Sequence, residues 1–139
     1  MDVVFLVGRI LLAAPFVQSG LMIHFSRQGV EVARSYNAPA PGLTVPLSGA
    51  AIVAGGLSVA FGIWGDLGAL VLAAFALAIL PIMHAFWKET EPQAQQMQMV
   101  NFVKNVSMAG GALILFYAFN QLQGDAGLSI TDPLFSRGD

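Results

Sequence analysis

Apolar stretches of this 139-residue sequence carry a few ionisable side chains, the first candidates for chemistry: Arg9, His24, Asp66, His84 and Lys104. A charge at the centre of a bilayer costs about 2.5 kcal/mol or more, so it normally needs a partner. Arg9 and Asp66 are therefore candidate ion partners. His24, His84 and Lys104 are expected to form one basic cluster, for which the alternative is simple contact with lipid headgroups.

Amide side chains accompany Lys104 in the last apolar part of the chain. At a helical rotation of roughly 100° per residue, Gln98, Asn101 and Asn105 fall within about 60° of arc, and Lys104 lies on their flank. The result is a polar stripe that descends into the membrane. Such a stripe can face partner helices, water or the headgroup of a ligand.

A quinone site near the membrane surface is one chemistry that these residues suit. Such a site needs a hydrogen-bond donor beside an aromatic wall. His84, Lys104 and Asn105 would supply hydrogen bonds, and Phe86 and Trp87 would flank the ring. The same five residues also describe a plain interfacial anchor, so both interpretations stay open.

The residues that several other kinds of site require are absent from the sequence or unfavourably placed. The chain has no cysteine, which excludes disulfides, thiolate catalysis, iron–sulfur clusters and cysteine zinc sites. No Ser-His-Asp set is recognisable, so no catalytic residue and no metal ligand is assigned, and a non-catalytic subunit is favoured over an enzyme. Bis-histidine haem is disfavoured because His24 and His84 lie near the interface and nothing else indicates haem. Quinone is the one cofactor retained. No nucleotide-binding glycine pattern occurs, and no nucleic-acid partner is expected.

These residues must be positioned by membrane helices. Hydrophobic side chains make up 56% of the chain and charged ones 10%. A hydrocarbon core of roughly 30 Å takes about 20 helical residues, and four apolar runs are long enough: approximately 3–25, 43–64, 67–87 and 100–121. Barrel strands are half as long, and a soluble bundle would show polar helix faces. We predict a single domain over residues 1–139, an all-α integral membrane four-helix bundle with both termini on one side.

Loops and small residues complete this organisation. Positive residues are more frequent in the loop 26–42 and the segment 87–99 than on the terminal side, which predicts cytoplasmic loops and outer termini. The last helix is expected to begin near Glu91, before it reaches the membrane. Small residues let helices approach closely in lipid. Residues assigned to partner contact or helix packing are Arg9, Gly55, Gly56, Gln98, Asn101, Gly110 and Gly111.

Several of these motifs occur together in a recognisable order. Phe86-Trp87, Glu91-Pro92, Gln98, Phe102-Val103-Lys104-Asn105 and Gly110-Gly111 follow one another in the second half. Earlier, Gly8 to Leu12 leads to Ser19-Gly20, and Gly49 precedes Gly55-Gly56. This order resembles the DoxX family of small bacterial four-helix membrane proteins, related to the DoxD-type subunit of a thiosulfate:quinone oxidoreductase. The resemblance covers nearly the whole chain.

The resemblance implies a location and a context. It places the chain as a multi-pass protein in the bacterial inner membrane, beside redox assemblies with which similar subfamilies are associated. Many members carry a glutamate where this chain has Ile52. A proton-handling role for that position is therefore not expected here, and an apolar packing role for the second helix is favoured.

Three functions of different classes fit these observations. The leading one is an accessory or assembly subunit that docks against a larger membrane redox complex. The second is a quinone-interacting oxidoreductase subunit. The third is a small-solute transporter, although four helices leave little room for a pore unless the protein oligomerises. Expected partners are membrane lipids and other membrane subunits, with a homo-oligomer as an alternative.

Overall fold

The computed structural model describes residues 1–122, 125 and 127–135, and within them the chain is helical with no strand. The helices are α1 (Asp2–Ser19), α2 (Arg27–Ser35), α3 (Pro41–Phe61), α4 (Gly65–Ala78), α5 (Leu80–Met83) and α6 (Pro92–Leu122), with a π-helical turn at Gly20–His24 and a 3-10 turn at Phe86–Lys88. Four stretches are long and apolar enough to cross a membrane: Asp2–His24, Pro41–Phe61, Gly65–Lys88 and Pro92–Leu122. The predicted four-helix membrane bundle is confirmed.

The centre of the bundle is built around α4, which packs between α3 and α6. Alanines fill the contact with α6, where Ala69 and Ala76 are fully buried and face a core that includes Ala112. On the other side the α3 and α4 backbones approach so closely that a Cβ on Gly68 would stand 2.7 Å from the carbonyl oxygen of Gly55. Small residues thus replace the hydrophobic driving force that lipid does not supply.

The outer surface of the bundle is apolar. Leu11, Met22, Ile114 and Tyr117 are among many large side chains that stay mostly exposed. Surfaces of this kind are rare on soluble monomers, but they are the expected surface of helices that contact lipid tails. The outside and the inside of the protein are therefore both apolar, and the interior differs mainly by its smaller residues.

A short helix, α2, occupies the region that the sequence suggested as a loop. It begins at a side-chain cap, because the Ser26 hydroxyl accepts a hydrogen bond of 3.0 Å from the Gly29 backbone N–H. Gly29 and Ala33 are buried against the bundle, while Glu31 and Arg34 stay exposed and form an ion pair of 2.7 Å. The helix is too short and too polar to be recognised from the sequence as a membrane span.

The third span is not one continuous helix. α4 ends at Ala78 and α5 continues for a single turn, with Pro81 in its first turn, where the missing N–H does not break a helical bond. The chain then turns through Phe86–Lys88 before α6 begins at Pro92, one residue from its expected start.

The C-terminal segment 127–135 returns to the end of the bundle where the chain starts. Backbone N–H groups of Ile130 and Thr131 donate to the Gly62 carbonyl at 3.2 and 3.1 Å, and the Thr131 hydroxyl accepts from Trp64 N–H at 2.9 Å. Gly62 itself has a φ of 66°, which glycine adopts at little cost, and it ends α3. The segment therefore closes the terminal end of the bundle.

Arg9 and Asp66 are not ion partners, contrary to expectation. Each is fully buried, but each bonds to the C-terminal segment. Arg9 donates to the Leu128 carbonyl at 2.9 Å and to the Ser129 hydroxyl, and its guanidinium lies over two phenylalanine rings. Asp66 accepts from the backbone N–H groups that follow Pro133, at 2.9 and 2.6 Å. The returning segment therefore supplies hydrogen-bond partners to both charges, although the buried Arg9 Nε has no partner among the described residues. Helix periodicity does not show this arrangement.

Candidate functional site

A cavity of about 660 Å³ lies at the opposite end of the bundle, which we call the loop end. It is bounded by the end of α1, by α2, by the start of α3 and by the end of α4 with α5. Both histidines of the chain, His24 and His84, line it together with apolar side chains such as Phe75 and Ile79. Its size falls within the range of roughly 300–1,000 Å³ that is usual for small-molecule sites.

His24 reaches the cavity because α1 widens into a π-helical turn at Gly20–His24. π-helical turns are rare in proteins, and those that occur are often found at functional sites. The turn lies tightly against α3: a Cβ on Gly49 would overlap the Cβ of His24, and a Cβ on Gly20 would stand 3.0 Å from the Gly49 carbonyl. These two glycines therefore fix where the His24 ring enters the cavity.

Hydrogen bonding and an aromatic contact orient the His24 ring. Its Nδ1 lies 3.1 Å from the Ser19 carbonyl oxygen, and the ring meets Phe75 edge to face at a centroid distance of 5.7 Å. The ring is buried. The imidazole is thus held by its own helix and by α4 together.

His84 is held by a chain of side chains from two other elements. Its Nδ1 lies 2.8 Å from Oε1 of Gln98, and the Gln98 amide nitrogen donates to the Tyr36 hydroxyl at 2.7 Å. Gln98 is buried at the start of α6, and Tyr36 is the residue that ends α2. Tyr36 also lines a second cavity of about 510 Å³ with Lys88 and Glu89, so the chain of hydrogen bonds connects two hollows.

Lys104 does not join the histidines. The residues that line the histidine cavity do not include it, and its ammonium group donates to Asn101 Oδ1 at 3.3 Å from an exposed position. The buried Asn105 amide donates to the Asn101 carbonyl of its own helix at 2.9 Å. The expected basic cluster is therefore reduced to the two histidines, because α6 turns Lys104 outward.

Phe86 and Trp87 take part in an aromatic cluster with Phe102. The three rings meet edge to face, with centroid distances of 5.2 Å for Phe86 to Trp87, 5.4 Å for Phe86 to Phe102 and 6.0 Å for Trp87 to Phe102. None of the three lines the histidine cavity. The ligand role assigned to these aromatic residues with Lys104 and Asn105 stays a prediction, and its members do not converge on a common hollow.

The glycines assigned to packing differ in their surroundings. A Cβ on Gly55 would stand 3.3 Å from the Gly68 carbonyl of α4, one on Gly56 would stand 2.6 Å from Val17 of α1, and one on Gly111 would stand 3.2 Å from Leu12. A Cβ on Gly110 would meet nothing within 4 Å. Gly110 therefore faces away from this bundle.

Two features of this site escaped sequence reasoning. The π turn has no sequence signal of its own, and α2 was taken for a loop although Ser26 and the alternation of polar and apolar residues after it were visible.

Ile52 is fully buried in the core, in agreement with the apolar role expected for it. Among the described residues no group of three or more histidine, aspartate or glutamate side chains could hold a metal ion.

Comparisons with known proteins agree with this architecture. The DoxX family model matches residues 4–85, which is more than half of the chain and includes α1 from Val4 onward, α2 to α5 and both histidines. The block from Phe86 to Gly111, which also resembled the family, lies outside the matched range. Searches among curated proteins and among solved structures gave no match. With its four membrane-spanning helices and this match, the chain belongs to the DoxX family of multi-pass membrane proteins.

Proposed function

We propose that this protein is an accessory subunit of a redox assembly in the bacterial inner membrane and that it holds a lipid-soluble ligand of the quinone class in its loop-end cavity. The cavity that contains both histidines is the observation that carries the proposal. Family membership supports the membrane context. No catalytic role is assigned to the chain.

The walls of the cavity suit a ring with an apolar tail. Most lining residues are apolar, and polar groups are few and spaced, as in sites that fix the orientation of a mainly hydrophobic ligand. Exposed side chains at its rim, Met22, Ile23 and Ile82, belong to the apolar outer surface. A ligand dissolved in lipid would therefore reach the cavity across the apolar rim.

Filling the cavity tests the ligand. Ser48 lines it, and its hydroxyl donates only to the Val45 carbonyl of its own helix, at 2.9 Å. Ser48→Leu should reduce binding of a short-chain ubiquinone analogue, measured by equilibrium dialysis of protein in nanodiscs, at least about tenfold. Ser107→Leu is the matched control, because Ser107 bonds in the same way to Val103 on the exposed side of α6. Equal binding by both variants would contradict the cavity site.

Gly110 allows a separate test of the accessory role. It leaves open space on the outer face of α6, where a partner helix would approach closely, and Gly8 leaves similar space on α1. Gly110→Leu should remove a partner that docks on α6 and copurifies with the wild-type protein in mild detergent, and Gly8→Leu, which obstructs a different helix, should retain it. A wild-type protein that purifies as a lone monomer would count against the accessory role.

A further inference from the structure

The two histidines of the cavity use the same ring nitrogen for their internal hydrogen bond. His24 Nδ1 lies 3.1 Å from the Ser19 carbonyl oxygen, and His84 Nδ1 lies 2.8 Å from the Gln98 side-chain oxygen. Carbonyl oxygens only accept hydrogen bonds, so each Nδ1 carries the hydrogen. In the neutral imidazole the remaining nitrogen, Nε2, is then an acceptor.

The orientation of the Gln98 amide decides this for His84. The Gln98 amide nitrogen donates to the Tyr36 hydroxyl at 2.7 Å, which leaves the amide oxygen facing the histidine. Tyr36 therefore acts as a positioning residue. In the orientation that the structure gives, its hydroxyl accepts from the Gln98 amide nitrogen and holds the amide oxygen toward His84 Nδ1.

Most hydroxyl groups around the cavity are also acceptors rather than donors. Ser26, Thr44 and Ser48 line the cavity, and each gives its hydroxyl hydrogen to a backbone carbonyl, at 2.7, 2.8 and 2.9 Å. A ligand inside would meet their free lone pairs. The polar lining is therefore rich in acceptors, with the Ser19 hydroxyl and the exposed Gln28 amide as sources of donors.

We propose that the cavity binds the reduced, hydroquinone form of its ligand in preference to the oxidised quinone, through O–H donation to Nε2 of His24 and His84. This inference rests on the proposed quinone-class ligand. A hydroquinone presents hydroxyl donors, whereas a quinone presents two carbonyl oxygens, which would face acceptors and leave polar groups unpaired. An unpaired buried polar group weakens binding, and the expected preference for the hydroquinone is about tenfold to one hundredfold.

The test compares three forms of one ring at about pH 8. A short-chain ubiquinol, its dimethyl ether and the corresponding quinone are titrated anaerobically into the protein in nanodiscs. The ubiquinol should bind at least about tenfold more tightly than the other two. Equal binding of all three, still lost in Ser48→Leu, would overturn the hydroquinone preference while leaving the cavity site intact. No binding of any form would overturn both proposals.

Nitrogen-15 NMR of histidine-labelled protein gives a readout that needs no ligand. Both rings should show the Nδ1–H tautomer at the same pH. Tyr36→Phe should shift the His84 tautomer toward Nε2–H and weaken ubiquinol binding, and the His24 signal should not change. A dominant Nε2–H form of either ring in the wild-type protein would overturn the inference.

Discussion

The two ends of this bundle treat their polar side chains differently. At the terminal end Arg9 and Asp66 are completely buried and bond to the chain's own C-terminal segment. At the loop end His24 and His84 each make one internal hydrogen bond and border a cavity of about 660 Å³. One end is closed by protein, whereas the other keeps a hollow large enough for a small molecule.

This difference separates charged side chains that stabilise the fold from side chains that can still bind a ligand. A charged group inside apolar surroundings is costly unless it is paired, and the C-terminal segment supplies backbone partners that no neighbouring helix supplies. A histidine has two ring nitrogens, so it can be fixed by one and still offer the other. Within this membrane bundle, the two fully buried charges therefore mark the closed end, and the two histidines mark the candidate site.

Removing Asp66 should have the largest effect on stability. Asp66→Ala removes the carboxylate that accepts from the Leu134 and Phe135 backbone N–H groups, and hydrogen bonds to charged groups contribute about 1.5–3 kcal/mol each. A loss of about 3 kcal/mol or more is expected in thermal unfolding followed by circular dichroism in detergent. Asp132→Ala, an exposed carboxylate of the same segment, should change little. Similar unfolding of the two variants would show that the terminal end is not closed in this way.

Gly49→Ala should have the next largest effect, and it acts at the loop end. The added Cβ would overlap the Cβ of His24, and overpacking of this kind costs typically about 1–3 kcal/mol. The same substitution should weaken binding in the cavity, because the π turn must move. Gly42→Ala on the same helix meets open space and should not destabilise the protein. An unchanged Gly49→Ala protein would mean that the π turn is not held by α3.

Tyr36→Phe should cost about 1 kcal/mol, because it deletes the hydroxyl partner of a buried glutamine amide. Chemical unfolding of the wild-type and variant proteins measures it. Tyr117→Phe is the matched control, since Tyr117 is mostly exposed on the outer surface. If both variants lost the same stability, the hydrogen bonds from Tyr36 through Gln98 to His84 would make no measurable contribution to the free energy of unfolding.

Lys104→Met should have the smallest effect, below about 0.5 kcal/mol in stability, because its side chain is exposed and makes one long hydrogen bond. Binding of a quinone analogue should be unchanged. Loss of that binding would move the candidate site from the cavity to the polar stripe of α6, where the sequence alone suggested it. The same titration with Ser48→Leu decides between the two locations.

Prediction from sequence succeeded for the membrane spans, which depend on properties of single segments. Length and hydropathy of each run fixed the four spans, since a bilayer tolerates only helices of sufficient length. It was less successful for pairs of residues. Arg9 and Asp66 were matched by depth, and Lys104 was grouped with the histidines by depth as well, but depth does not specify direction around a helix or the path of a returning tail.

The sequence by itself thus determined the membrane bundle and its family, because composition and the order of motifs are properties of the chain alone. Tertiary structure alone decided which polar side chains are engaged in internal hydrogen bonds and which keep a group that can bind a ligand. The π turn at His24, the Tyr36 to Gln98 contact and the docking of residues 127–135 each join positions far apart in the chain or depart from regular helix geometry. Such contacts depend on how the helices rotate against one another, which helical periodicity leaves open.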